Sequence, residues 1–491
     1  MNYRVIIETV RHLKLKQILY QVGNRICKAK YVYYSAPIHD TKGFDTEPID
    51  RFRSLDRDVF TFLNKSHSFS DWNFVDYGTL FTYNQNYFDF INDGFVKKDE
   101  ALGWIDKFIA DIPKIKWGMD AYPIALRSIN WMKFFCKHPD VATQSREDSL
   151  WSQLLLLQKK LEYHLLGNHL LEDSFALYMG GCYFQDRAMA NKGYHLLMKQ
   201  LAEQILPDGS HYEQSPMYHC ILLDRLLDCI NISAGKSVEA ENLSRYAIKM
   251  LGHLGKICYR NGDIPLLNDA AYNIAPWPYQ IFDYARRLGL QWKSIPMKEC
   301  GYRKLDSDKM EAIVDIGNIT ASYQPGHSHA DTLNYELRVN GKPYVVDTGT
   351  STYDKNERRQ FERSTIAHNC VSPGGKDCYE VWGGFRVGSR CHTEIVDDSY
   401  DSIIAWHDGF TRPCKRRFQM SRDAFIVEDR YEGNAVSYIH LAEGADVNRI
   451  TIEGANKVNL KDYRYSTEYN VFHNGKVLEI HFEDHLKYTI R

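Results

Sequence analysis

The hydrophobic period of this chain changes once, near residue 300, and that change limits the folds that the sequence can adopt. Before it, apolar residues recur at helical spacing, as in Leu150, Leu154, Leu157 and Leu161. A similar pattern follows over 243–257, and Tyr122-Pro123 predicts the start of another helix, because proline is favoured in a first turn. Several helices of this length predict a layered, all-helical domain.

After Tyr302 the period becomes two, which is typical of β-strands. The predicted strands are short runs of β-branched and aromatic residues at 312–316, 319–323, 333–339, 344–346, 424–428, 436–441 and 478–482. Asn340-Gly341 and Asn474-Gly475 lie between such runs and predict hairpin turns. The C-terminal third is therefore predicted to be an antiparallel β-sandwich, which makes the fold class α+β and multidomain.

The same patterns divide the chain into three segments. Residues 1–50 are predicted to hold an amphipathic basic helix over 5–26 and a polar linker, 51–300 the helical domain, and 301–491 the sandwich. We expect the amphipathic helix to pack against the body of the protein, and a membrane surface is the alternative. The N-terminus lacks an unbroken apolar stretch and a small-residue cleavage site. This predicts no signal peptide, no transmembrane segment and a cytoplasmic location.

Charge and composition argue against some classes of partner. With 61 basic and 63 acidic residues the net charge is −2, so no overall positive field favours nucleic acid. Aromatic residues make up 13% of the chain, which suits a large core and also flat surfaces that stack on sugar rings. Eleven scattered cysteines without CxxC pairs predict mostly reduced thiols.

Ionisable groups are concentrated in Gly326-His327-Ser328-His329-Ala330-Asp331, at the start of a predicted strand. On an extended backbone His327 and His329 point to the same face and can share a metal or a substrate. Asp347 and His368 supply a carboxylate and a third imidazole. His329, Asp347 and His368 therefore predict a metal site, and His327 is left for chemistry. A single histidine near a strand is more often a core residue satisfied by hydrogen bonds.

Two places in the helical half break the apolar pattern with clustered polar groups. Asn168-His169 leads into a predicted helix that places His169 and Glu172 on one face. Tyr218 follows Ser215-Pro216 and is predicted in the first turn of another helix, where the helix dipole favours an ionised phenol. Capping and packing are the alternative explanations for each cluster taken alone.

Together these motifs resemble the heparinase II/III polysaccharide lyases over roughly residues 70–400. The motifs that carry the resemblance, in order, are Asn168-His169, Ser215-Pro216-Met217-Tyr218-His219, the GHSHAD run at 326–331, Val346-Asp347-Thr348-Gly349 and Ala367-His368-Asn369. The resemblance implies an incomplete (α/α) toroid followed by an antiparallel β-sandwich. Phe81 stands where it implies a tryptophan, and Cys378 where it implies a polar residue. We expect both departures to affect substrate preference.

The resemblance also implies roles for particular residues. Tyr218 and His327 match its catalytic pair, and Asn168 with His169 its carboxylate-neutralising pair. A structural divalent metal, with zinc expected and calcium as the alternative, is implied at His329, Asp347 and His368. One carboxylate near His169 and several arginines are also predicted to contact the substrate. The arginines are included because guanidinium groups bind carboxylate or sulfate bidentately. These residues are Glu172, Arg127, Arg363, Arg386 and Arg390.

These roles imply β-elimination on an anionic polysaccharide that contains uronic acid, which leaves a 4,5-unsaturated uronate end. Heparan sulfate, hyaluronan, alginate and bacterial exopolysaccharides all present a uronate. A metal-dependent glycan hydrolase and a non-catalytic glycan-binding protein are the alternatives; the first rests on the HxHxD pattern, the second on the aromatic content and the sandwich. The resemblance also gives the periplasm as the alternative location.

Overall fold

Helices dominate the chain up to Arg287, and strands dominate it from Tyr302. The computed structural model that shows this describes residues 3–26, 28–40, 43–233 and 237–491. Five positions of the predicted N-terminal segment, 1, 2, 27, 41 and 42, lie outside the described residues. The predicted change of period near residue 300 falls in the irregular segment between the two halves.

The helices of the described residues are α1 (Tyr3–Val10), α2 (Leu15–Ile26), α3 (Thr79–Tyr87), α4 (Lys98–Asp111), α5 (Ala121–Lys137), α6 (Gln144–Lys160), α7 (Gly167–Tyr183), α8 (Arg187–Gln204), α9 (Pro216–Ile232), α10 (Val238–Ile257), α11 (Pro278–Arg287) and α12 (Glu357–Glu362). The single helix predicted over 5–26 is two helices. Gln17 Oε1 accepts a hydrogen bond from Lys14 N at 2.9 Å, and this cap begins a new helix after a turn. None of the helices in these described ranges is both long enough and apolar enough to cross a bilayer.

Burial divides the central helices into an inner and an outer layer. Helices α5, α7 and α9 are buried on almost every side, and α7 contacts both α5 and α9. Helices α6, α8 and α10 pack against them as α5–α6, α7–α8 and α9–α10 pairs and keep one face exposed. Because a helix that is apolar all round must be covered on all sides, this order follows from the leucine-rich and aromatic sequences of the inner helices.

The strands are β1 (Leu55–Asp56), β2 (Val59–Phe62), β3 (Lys65–Ser68), β4 (Tyr302–Asp306), β5 (Met310–Asp315), β6 (Tyr335–Val339), β7 (Lys342–Val345), β8 (Val371–Ser372), β9 (Val381–Trp382), β10 (Arg386–Val387), β11 (Thr393–Asp398), β12 (Ser402–His407), β13 (Cys414–Met420), β14 (Phe425–Leu441), β15 (Ile450–Glu468) and β16 (Val471–Ile490). Strands β1 to β3 form a small sheet within the helical half, which the sequence did not predict.

The large sheet is antiparallel and runs in the order β11-β12-β13-β14-β7-β6-β5-β4. The long strand β14 pairs with β13, β7, β8 and β16, and β16 also pairs with β15. Apolar side chains from β5, β6, β12, β13, β14 and β16 meet in one core. Layers of the sheet thus pack face to face, as expected for a sandwich.

Turn chemistry was predicted correctly at one hairpin and wrongly at another. Asn340 and Gly341 both have positive φ, 51° and 75°, and join β6 to β7. Asn474, however, lies inside β16 opposite Arg464. The turn is at Asn470, whose backbone N–H donates to Ser351 O at 3.0 Å and whose Nδ2 donates to Leu63 O at 2.8 Å. These tertiary contacts place the turn four residues earlier than the local sequence indicated.

Two other strand predictions also differ from the structure. The segment 319–323 is irregular, because Thr320 bonds to the helical half: its N–H donates to Gln214 Oε1 at 3.2 Å. The runs 424–428 and 436–441 are the two ends of the single strand β14.

Candidate active site

A cleft of about 860 Å³ lies where the helical half meets the sandwich. Helices α7 and α9 contribute Asn168, His169 and Tyr218 to its lining. The segment before β6 contributes His327, and Tyr353 follows β7. Helices α1 and α2 also line the cleft, so the amphipathic segment packs against the body as predicted. The four residues predicted to be catalytic therefore share one cavity, although they come from three separate parts of the chain.

Tyr218 lies in the first turn of α9, as predicted, and its N–H donates to Ser215 Oγ at 3.2 Å. Its ring centroid is 4.0 Å from that of His327, and its hydroxyl accepts a hydrogen bond from Tyr353 at 3.4 Å. Burial raises the pKa of the Tyr218 phenol and outweighs the hydrogen bond from Tyr353 that lowers it. In the free protein burial therefore outweighs the predicted effect of the helix dipole, and the Tyr218 phenol is harder to ionise than a free tyrosine.

Asp269 fixes the tautomer of His327. Its Nδ1 lies 2.9 Å from Asp269 Oδ2, so Nδ1–H donates to the carboxylate and the lone pair is left on Nε2. Asn168 Nδ2 lies 3.3 Å from that Nε2. Nε2 of His327 thus faces the Asn168 amide and Glu213 Oε2, which lies 3.5 Å away, on the side of the ring where a general base would act.

Asp269 is a central residue of the site that the sequence did not reveal. Its buried carboxylate accepts hydrogen bonds from His327, from His329 Nε2 at 2.8 Å and from Arg359 Nη2 at 2.7 Å. Burial raises the pKa of Asp269, but Arg359 and the two histidines outweigh it and hold this pKa well below its usual range. The predicted convergence of His327 and His329 is real, and the group that they share is this carboxylate. No local motif marks Asp269, which lies in an irregular segment after Asn268.

Asn168 is held by Glu213. The Asn168 backbone N–H donates to Glu213 Oε1 at 2.9 Å, and its Nδ2 donates to Glu213 Oε2 at 2.8 Å. The chain reaches this position through Leu166 and Gly167, which have φ of 62° and 61°. A Cβ atom on Gly167 would lie 2.2 Å from Glu213 Oε1, so only glycine allows this approach. Such strain beside a functional amide is typical of sites that pre-organise a polar group.

His169 is paired with a carboxylate at this end of the cleft. Its Nδ1 lies 3.0 Å from Glu162 Oε2, and its ring packs on Tyr122 with centroids 4.6 Å apart. Burial lowers the pKa of His169, but the Glu162 carboxylate outweighs burial and the net pKa lies above its ordinary value. His169 is therefore more readily protonated than a free imidazole and can face an anion.

Three of the predicted substrate-binding residues are buried outside the cleft. Arg127 is fully buried, and it donates to Gln153 Oε1 at 2.7 Å and to two backbone carbonyls. Arg363 is also fully buried and donates to Ser328 O at 2.8 Å, which fixes the histidine segment. Glu172 is fully buried 3.7 Å from Arg225. These three predictions fail because the side chains hold the interior together and cannot reach a ligand.

Other charged residues do line the cleft. Arg386 is exposed and lies over the ring of Trp382, and Arg390 donates to Ser322 O at 2.6 Å. Both were predicted, and both line the cavity. Arg51 and Arg225 also line it and were not predicted, because each lies in a segment without a recognisable motif.

The two departures from the expected pattern lie in the packed interior. Phe81 is fully buried among aromatic rings, including Phe62 and Phe74. Cys378 is buried, and its Sγ accepts a hydrogen bond from Thr365 Oγ1 at 3.5 Å. Neither lines the cleft, so the structure gives them no direct contact with a substrate.

The predicted metal ligands are buried neighbours beneath the histidine segment. His368 Nδ1 lies 2.7 Å from Asp347 Oδ2, and the rings of His329 and His368 have centroids 5.3 Å apart. His329 Nδ1 and His368 Nε2 are both buried without a hydrogen-bond partner. The three side chains do not bring one ligand atom each within 4.8 Å of the other two. Two unpaired imidazole nitrogens fit a metal of the zinc type, and Asp347 orients one of them.

The sequence matches two models of one family in the expected order. The model described as heparinase II/III N-terminus matches residues 134–284, and the model described as heparinase II/III-like, C-terminal, matches residues 290–485. Among curated proteins, a heparin-sulfate lyase of Bacteroides thetaiotaomicron is 22% identical over an alignment of 333 residues, and the match covers 57% of this chain and 46% of that protein. A heparin-sulfate lyase of Bacteroides stercoris is 22% identical over an alignment of 248 residues, and the match covers 44% of this chain and 37% of that protein. The chain thus spans less than half the length of these relatives.

Solved structures share the fold. A heparinase III, the BT4657 gene product, superposes with a TM-score of 0.61 at 14% identity over 86% of this chain and 80% of its own. The heparan sulfate lyase HepC from Pedobacter heparinus gives a TM-score of 0.54 at 13% identity over 88% and 81%. This likeness confirms the predicted fold class, a helical toroid followed by an antiparallel sandwich. With both family models matched in order along most of its length, the chain belongs to the heparinase II/III family.

Proposed function

We propose that this protein is a polysaccharide lyase that cleaves glycans containing uronic acid by β-elimination. The observation that carries the proposal is the meeting of Tyr218, His327 and Asn168 in one cleft, with the two rings 4.0 Å apart and Asn168 Nδ2 3.3 Å from His327 Nε2. The family membership and the lyase names of the relatives support the same reaction class. A glycosaminoglycan of the heparan sulfate type is the first substrate to test.

The elimination needs its negative charge neutralised. Removal of the proton on C5 of a uronate places a second negative charge on the adjacent carboxylate, so donors aimed at that group lower the barrier. The side-chain amide of Asn168 donates one hydrogen to Glu213, and its nitrogen also lies 3.3 Å from His327 Nε2. The imidazolium form of His169, favoured by Glu162, adds positive charge at the same end. These two residues suit the carboxylate of the sugar.

Two proton transfers complete the reaction. In the neutral tautomer whose Nδ1–H donates to Asp269, His327 Nε2 carries the lone pair that accepts the C5 proton. The electron pair forms the C4=C5 double bond as the C4–O4 bond breaks, and the Tyr218 hydroxyl gives its proton to O4. The raised pKa of Tyr218 suits this acid role, since the phenol keeps its proton until the leaving oxygen needs it. When the proton and the leaving group lie on one face of the sugar, Tyr218 is the group placed to serve both.

We also propose a zinc ion at the His329, Asp347 and His368 group, with the two histidines as ligands and Asp347 as the carboxylate that orients His368. The two unpaired ring nitrogens of His329 and His368 support it, and they favour zinc over calcium, which prefers oxygen ligands. When bound, the ion supplies positive charge and rigidity beneath the segment that carries His327. The role of His329 and His368 is then to hold that segment, and proton transfer stays with Tyr218 and His327.

The direct test is ultraviolet absorbance of the unsaturated product during incubation with a panel of uronate polysaccharides. We expect a rise for the wild type on at least one polymer, and a loss of about 10²–10⁴-fold for Tyr218→Phe and His327→Ala. Tyr353→Phe is the matched control, because its hydroxyl also lines the cleft, and it should stay within about tenfold of wild type. New reducing ends without absorbance would indicate a hydrolase, and binding without cleavage would indicate a glycan-binding protein.

A further inference from the structure

A second cluster of metal-ligating side chains lies buried away from the cleft, where the two halves of the chain meet. Asp208, His253 and Cys300 are all buried, and one ligand atom from each lies within 4.8 Å of the other two. Asp208 lies in the turn between α8 and α9, His253 on α10, and Cys300 in the segment before β4. An oxygen, a nitrogen and a sulfur from three distant segments therefore meet at one point.

His219, the residue after Tyr218 on α9, is a neighbouring imidazole that lies outside the 4.8 Å spacing shared by the other three ligand atoms. Its Nε2 donates to Met250 O at 3.0 Å, which leaves the lone pair on Nδ1. Nδ1 of His219 and Nδ1 of His253 are both buried without a hydrogen-bond partner, and the two ring centroids are 5.1 Å apart. An imidazole that donates to a backbone carbonyl through one nitrogen and leaves the other unpaired is arranged as metal-ligating histidines are.

The anionic members of the cluster are supported by backbone donors. Tyr302 N lies 3.4 Å from Cys300 Sγ, a contact that stabilises a thiolate. Lys298 N and Cys300 N donate to Asp208 Oδ2 at 3.0 and 3.1 Å. In metal sites, outer-shell groups orient thiolate and carboxylate ligands through hydrogen bonds of this kind.

We propose that Asp208, His253 and Cys300 bind a zinc ion that joins the helical half to the sandwich, and that the adjacent His219 completes the ligand set. Zinc favours four nitrogen, sulfur and oxygen ligands, and a site closed by four protein ligands is structural. His219 and His253 also line a cavity of about 10 Å³, which leaves room for one small species. The site shares no residue with the His329, Asp347 and His368 group.

The position of this ion gives it a link to the active site. It would fix the turn that leads to Glu213, which holds Asn168, and to Gln214, whose Nε2 donates to Cys300 O at 2.8 Å. Loss of the ion should therefore lower thermal stability and loosen the join between the two halves. It takes no part in the proton transfers.

Metal content of the purified full chain, measured by mass spectrometry after expression with zinc and removal of loosely bound ions, tests the proposal. Each of the substitutions Cys300→Ser and His253→Gln should lower the zinc content by one ion per chain. The same loss is expected when either substitution is made in the wild type and when it is made in the His368→Ala variant. Cys258→Ser is the matched control, because Cys258 is also buried near the end of α10 but does not line the cavity. Equal zinc content in all these variants would overturn the proposal and leave a buried water in the cavity.

Cobalt substitution gives a second readout that needs no variant to fold. The wild-type chain loaded with Co²⁺ should show thiolate-to-cobalt charge-transfer absorption in the near ultraviolet, because Cys300 is the only cysteine assigned as a ligand at either proposed site. Where Cys300→Ser is folded by circular dichroism, it should lose that absorption while Cys258→Ser keeps it. Absence of the band in cobalt-loaded wild type would exclude a cysteine-ligated ion.

Discussion

Replacing Gly167 with alanine tests whether Glu213 positions Asn168. Gly167 has a φ of 61°, and a Cβ atom there would lie 2.2 Å from Glu213 Oε1. That oxygen accepts the hydrogen bond from Asn168 N, and its partner Oε2 accepts the one from Asn168 Nδ2. The added methyl group must therefore displace the carboxylate that holds the amide.

The expected loss of folding free energy in Gly167→Ala has two contributions, and a control variant separates them. A positive φ costs a non-glycine residue about 1–2 kcal/mol. Displacing Glu213 adds the loss of at least one hydrogen bond to a charged group, about 1.5–3 kcal/mol. Gly289→Ala isolates the first part, because Gly289 has a φ of 76° and a Cβ atom there would meet nothing within 4 Å. We thus expect Gly167→Ala to destabilise the fold about twice as much as Gly289→Ala or more.

The assays are thermal denaturation and initial rates of unsaturated-product formation for both variants. Because removing one donor to a developing negative charge lowers turnover by about 10²–10³-fold, a displaced Asn168 should lower it by roughly tenfold or more. Gly289→Ala should leave turnover unchanged, since Gly289 follows α11 and does not line the cleft. If the two variants have equal stability and equal turnover, Glu213 does not position Asn168 and the reasoning fails.

Three further results follow from the contacts of charged residues. Glu162→Gln should lower the pKa of His169, so that activity declines at lower pH than in wild type. The ion pair between His169 and Glu162 also stabilises the fold at low pH, and this stabilisation is lost as pH rises through the raised pKa of His169. Denaturation at several pH values measures the second effect. Arg127→Lys should lower the melting temperature without changing KM, because a lysine cannot make the buried bonds of the guanidinium. Arg386→Ala should raise KM for sulfated or uronate polymers with little change in melting temperature, because Arg386 is exposed at the cleft.

Much of the fold could be predicted because it depends on local periodicity. The leucine spacing of α6 and α10 and the Asn340-Gly341 turn all appear where the sequence places them. The errors arise where a tertiary contact overrides a local preference. Asn470 takes the turn predicted at Asn474, because Ser351 and Leu63 accept its hydrogen bonds.

The candidate site shows the same division between local and distant information. Tyr218, His327, Asn168 and His169 could be found because each lies in a motif with a recognisable order. Arg127 was wrongly predicted to contact the substrate, because the sequence of a helix does not show which way an arginine side chain points. In the structure this side chain is buried in the core.

Local patterns along the chain were enough to predict the two-part architecture, the family and four candidate catalytic residues. Contacts between distant segments set the surroundings of those residues: Asp269 bonds to His327, Glu213 holds Asn168, and burial raises the pKa of Tyr218. Periodicity and motifs are properties of neighbouring residues, which a sequence displays directly. Hydrogen-bond partners and desolvation depend on residues far apart in the chain, and these come into contact only when both halves have folded and packed together.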